Sequence, residues 1–68
     1  MKYFEVEFDN GYSICCRGER VPNIEEAAVF CAAYSKENGM IVSVAEIDLD
    51  EAKRFFDTEN MDNWPIFK

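Results

Sequence analysis

Histidine is absent from the 68 residues. With it go the commonest general base, the commonest neutral metal ligand and every Ser-His or Cys-His nucleophile pair. Cations are scarce as well: seven Lys and Arg stand against fourteen Asp and Glu, a net charge of -7. Affinity for nucleic acid comes largely from cations that neutralise phosphates, so direct nucleic-acid binding and docking on an anionic membrane are both disfavoured. The three glycines, Gly11, Gly18 and Gly39, each fall at a turn or an element end, and no Gly-rich phosphate loop exists. Of the three cysteines, Cys15 and Cys16 are neighbours that a strand would send to opposite faces, and no C-x-x-C spacing occurs. A disulfide framework, a zinc site and a redox pair are therefore not expected. No apolar run reaches signal-peptide or membrane-spanning length, so the expected location is cytoplasmic.

What is present begins with a hairpin. Along Phe4, Glu5, Val6, Glu7 and Phe8 apolar and acidic residues alternate, and in a strand this separates an oily face from a wet one. The loop decides how the next strand answers, because a slip of one residue exchanges its faces. A two-residue turn at Asn10-Gly11 would set Phe8 against Ser13 and Glu7 against Ile14, mixing charge with oil. A three-residue loop, Asp9-Asn10-Gly11, pairs Phe8 with Tyr12, Val6 with Ile14 and Phe4 with Cys16. Only this bulged loop gives both strands one common apolar face, leaving Glu5, Glu7, Ser13, Cys15 and Arg17 opposite. Cys15 then faces away from the following helix and is reactive if nothing covers it.

Pro22, which has no amide to donate, ends the second strand, and Asn23 with Glu26 three residues on forms a capping box. A helix is expected from Ile24 to about Asn38, with Gly39 as its stop and Ile24, Ala27, Ala28, Cys31 and Tyr34, beside Phe30, as its buried stripe. Met40 to Ile47 reads as a third strand with two apolar sets: Met40, Val42 and Val44, then Ile41, Ala45 and Ile47. Two such faces call for cover on the second. Asp48 caps a short helix that can supply it through Leu49, Ala52, Phe55 and Phe56, with Glu51 at the capping-box position. A polar loop follows over 58–63, and Trp64-Pro65-Ile66-Phe67 is apolar enough to dock against the sheet or pair with its edge.

These readings define a single α+β domain over residues 1–68 with β-β-α-β-α topology. Its small antiparallel sheet has the order 2-1-3, a long helix on one face, a short C-terminal helix and a docked apolar tail. A chain of this length buries only about 60% of its unfolded surface, so its core is thin and its aromatics carry much of the burial. Between Glu46 and Asp62 seven acids meet only Lys53 and Arg54, which makes this the acidic end.

No catalytic residue, cofactor site or metal site emerges. Asp48, Asp50 and Glu51 lie close in sequence, but cap and dipole roles account for two of them and no EF-hand spacing follows. A non-catalytic protein-interaction module is the expected function, with Tyr3, Trp64 and Phe67 as exposed aromatics and any unpaired strand edge as the means of capture. The partner is another protein or a second copy in a homodimer. The alternative is an acidic decoy: Glu46, Asp48, Asp50 and Glu51 would occupy the basic groove of a nucleic-acid-binding protein.

The segment KYFEVEFDNGYSICCRGERVPNIEEA, with its NGYS turn, GER and PxxEEA helix start, resembles small uncharacterised proteins of Gram-positive bacteria and their phages. The resemblance spans the first half and implies an accessory or mobile-element origin. It transfers no functional residue.

Overall fold

A computed structural model describes residues 1–32, 39–55 and 64–68. In chain order it contains β1 (Lys2–Phe8), β2 (Ser13–Gly18), α1 (Ile24–Phe30), β3 (Ile41–Ile47), α2 (Leu49–Phe55) and β4 (Ile66–Phe67). The hairpin closes through the three-residue loop that the alternation requires. Phe8 N–H donates to the Tyr12 carbonyl at 2.8 Å and Gly11 N–H to the Phe8 carbonyl at 3.0 Å. Gly11 has φ +85, the left-handed conformation that closes such a loop and that glycine adopts without a Cβ penalty. Val6 accordingly pairs with Ile14 and Phe4 with Cys16.

β1 lies inside the sheet, antiparallel to β2 on one side and to β3 on the other. The sheet differs from the expected 2-1-3 antiparallel arrangement in having a fourth strand, in the order β3-β1-β2-β4, and it is mixed because β4 runs parallel to β2. Two local features let the tail pair rather than merely dock. Arg17 N–H donates to the Pro65 carbonyl at 3.0 Å. A Cβ at Gly18 would sit 2.6 Å from the Phe67 carbonyl oxygen, so only glycine admits β4 at this distance.

The main core lies between the sheet and α1, where Phe4, Val6, Phe8, Cys16 and Cys31 are fully buried. Burial of each large apolar side chain contributes roughly 1.5–3 kcal/mol. Helix α1 starts at the predicted capping box: Glu26 N–H donates to Asn23 Oδ1 at 2.8 Å and Asn23 N–H to Glu26 Oε1 at 3.2 Å. Its buried stripe is narrower than expected. Ala27 and Cys31, one turn apart, face the sheet with Phe30 beside them, whereas Ile24 and Ala28 lie on the exposed flank. Tyr34 and the helix end expected at Asn38 fall outside the described residues.

The facing of β3 also departs from simple alternation. A bulge places Ile41 opposite Phe8 and Ser43 opposite Glu7, so Val42 is the extra residue. Ile41 and Val44 thereby both join the main core, and Val42 is left at the surface. Met40 precedes the strand and is exposed.

On the opposite face a smaller cluster forms around Cys15, Ile47 and Ala52, closed by Tyr3 and Trp64. Of the second apolar set of β3, Ile47 receives its cover here, with Ala52 of α2 in the cluster, while Ile41 has joined the main core and Ala45 stays exposed. The helix is capped by Asp48, whose Oδ1 accepts from Glu51 N–H at 2.7 Å. Phe56 and the loop expected over 58–63 lie outside the described residues.

Candidate functional site

The residues that sequence reasoning marked for partner contact separate into two groups. The aromatic group is occupied in packing and is half-buried rather than exposed. Tyr3 and Trp64 meet edge to face with centroids 6.2 Å apart, sealing the small cluster. Phe67 packs edge to face on Phe30 at 5.4 Å and on Phe4 at 6.5 Å, and the Arg20 guanidinium lies 4.8 Å over its ring. These rings hold β4 and α2 to the sheet.

The acidic group is exposed. Glu46 lies 3.7 Å from Lys2 Nζ, Asp48 serves as helix cap, and Asp50 and Glu51 stand in the first turn of α2, where the helix dipole favours negative charge. Lys53 and Arg54 are exposed on the same helix. Among the described residues no group of three or more Cys, Asp or Glu side chains is placed to hold a metal ion.

The thiols offer no accessible nucleophile. Cys15 is 4% exposed beneath the α2 layer. Burial, with the nearby Glu5 carboxylate, pushes its thiol up to about 11. The condition for reactivity, an open second face, is not met. Cys16 and Cys31 share a hydrogen bond inside the main core. That bond, reinforced by burial, pushes the Cys16 thiol far up; it favours ionisation at Cys31, which burial opposes. Neutral thiols packed among phenyl rings act as small apolar groups.

One charged pair is built with care. Arg20 reaches Glu26 with both terminal guanidinium nitrogens, Nη1 to Oε1 at 2.9 Å and Nη2 to Oε2. Glu26 also closes the cap of α1, and the Arg20 bond followed by the Asn23 amide lowers its carboxyl to about 2. The cluster joins the end of the hairpin to the start of α1, next to the stretch of chain from Pro22 to Glu25.

A separate surface is the outer side of β3. As the end strand of the sheet it pairs only with β1 among the described residues. Its seven residues contain one charge, Glu46. Beside it an open groove of about 620 Å³ runs between Pro22, Asn23, Ile24 and Glu25 on one wall and Val42, Ser43 and Val44 on the other. A second hollow of about 230 Å³, lined by Ile24, Ala28, Gly39, Met40 and Ile41, shares Ile24 with the first. Together they follow the chain from residue 39 to residue 44. The rim is oily: Ile24 is 48% exposed, Met40 75% and Val42 50%.

Ile24, Met40 and Val42 were absent from the residues that the sequence marked for partner contact. The second apolar side of β3 pointed to the cover that α2 supplies and not to this groove, and the bulge that turns Val42 outward has no local signature. No described helix is long and apolar enough to cross a membrane. The sequence matches no protein-family model and no curated protein, and the fold matches no solved structure.

Proposed function

We propose that the chain is a non-catalytic protein-interaction module that receives an extended segment of a protein partner along the outer edge of β3. The carrying observation is the edge itself: seven residues with a single charge, bordered by a groove whose rim exposes Ile24, Met40 and Val42. Natural sheets commonly blunt such edges with charges, prolines or covering elements. An incoming strand would satisfy the free main-chain groups and lay alternate side chains in the groove.

The test is selection of linear peptides from a random display library against the full chain, followed by amide-resolved mapping. Bound peptides should protect amides within residues 41–47. Val42→Lys, which puts a charge on an exposed edge position without touching the core, should weaken them at least tenfold. Peptides that protect only α2 or β4, and ignore Val42→Lys, would sink the reading.

The acidic-decoy reading draws on the exposure of Glu46, Asp48, Asp50 and Glu51 at the end of β3 and the start of α2. It requires tight, salt-sensitive association with a basic nucleic-acid-binding protein. Binding that ignores salt would count against it, and Lys53 and Arg54 on the same helix weaken the mimicry.

A further inference from the structure

The groove beside β3 has a charge character of its own. Among the described residues, one of the seven on its two walls is charged, Glu25, and none of those lining the adjoining hollow is. Arg20, the nearest base in sequence, is turned onto Glu26 and Phe67 instead. A strand laid along residues 39–44 would therefore meet oil along most of its length and one carboxylate at the α1 end. Around this seam the molecule carries -7 overall.

We infer that the segment received by β3 is a cationic extended peptide, apolar at alternate positions with a Lys or Arg beside Glu25, and not a second copy of this chain. The inference rests on the strand-addition reading and adds the partner's chemistry to it. Two arguments choose between the occupants. A second copy brings another -7 to the seam. In a twofold pair it also brings a second Glu25 wall, so like charges gather where no cation lines the groove among the described residues. A cationic segment is drawn in by the field of the whole protein and pairs locally once docked. The oily rim selects the second feature: Ile24, Met40 and Val42 offer contact to alternate side chains on one face of an incoming strand.

A matched pair of charge reversals tests local complementarity against overall charge. Glu25 and Asp50 are each the second residue of their helix, both exposed, and each replacement by Lys changes net charge and helix-dipole energy alike. Random ten-residue peptides would be selected on the native full chain, on Glu25→Lys and on Asp50→Lys, with thermal melts confirming that each variant is folded. The expected result is at least threefold enrichment of Lys and Arg over Asp and Glu on the native chain and on Asp50→Lys. Glu25→Lys should reverse that enrichment. Glu25→Gln, which keeps the fold with less perturbation, should abolish it.

Other results are each decisive. Equal loss of enrichment in both Lys variants would assign the preference to net charge and overturn the role of Glu25. Neutral or acidic peptides that still protect residues 41–47 would overturn the cationic partner and leave strand addition standing. Peptides mapping elsewhere would remove strand addition and this inference together. A chain that sediments as a dimer with its β3 amides protected would make the second copy the occupant.

Discussion

At the scale of single residues, two glycines do different work, and substitution should tell them apart. Nothing lies within 4 Å of a Cβ built on Gly11, but its φ is +85. Gly11→Ala should therefore cost about 1 kcal/mol through backbone strain alone, with Trp64 fluorescence unchanged. At Gly18 the obstacle is the backbone of Phe67, 2.6 Å from the Cβ position. Gly18→Ala must push β4 away, which should cost about 1–3 kcal/mol and shift Trp64 emission as the tail loosens. Denaturant melts followed by fluorescence read both. Glu26 gives a pH-dependent counterpart. Its folded carboxyl lies near 2 against an ordinary 4.5, so the unfolded chain binds the proton more readily. The Arg20 pair then adds stability that is complete above about pH 4.5 and is lost as pH falls toward 2. Glu26→Gln should flatten that part of the stability profile. Because the pair is exposed, the effect should shrink at high salt.

At the scale of elements, legibility followed locality. The hairpin register was readable because the oil-and-acid alternation of β1 and the position of Gly11 jointly admit one pairing, and the α1 cap because Asn23 and Glu26 satisfy each other three residues apart. The fourth strand was half-readable: the apolar Trp64-Pro65-Ile66-Phe67 had to dock, but its parallel pairing depends on the bare Cα of Gly18, nearly fifty positions away in sequence. The bulge in β3 is set against Phe8 and Glu7 and has no local signature, so strict alternation misassigned Ile41 and Val42. The same nonlocality hid the groove, whose walls come from two elements. Among the described residues those of β1 carry the greatest share of the core, since Phe4, Val6 and Phe8 are all fully buried. Phe4→Ala should cost about 3–5 kcal/mol. Against a total of about 3–10 kcal/mol for a chain of this length, the variant should lose its cooperative thermal transition in circular dichroism.

At the scale of the whole molecule the sheet separates two cores of unequal size, and the three cysteines report on both. Cys16 and Cys31 sit in the large cluster between the sheet and α1, while Cys15 sits in the small one under α2. Among the described residues the small cluster has three buried members, and one of them, Ala52, offers a single methyl group. Apolar contact is the main support of so short a helix, so the α2 layer should lift at a lower free energy than global unfolding. Opening it exposes Cys15 alone. Labelling of the native protein with a thiol reagent, read by peptide mass, should thus modify Cys15 first, with Cys16 and Cys31 following only at the global unfolding rate. Its thiol, held up to about 11 while covered, regains ordinary acidity only in the open form, so the rate should follow the opening equilibrium. Ala52→Gly, which removes that methyl and weakens the helix, should speed labelling of Cys15 several-fold and leave the other two almost unchanged. A common labelling rate for all three thiols would mean that the two layers open as one.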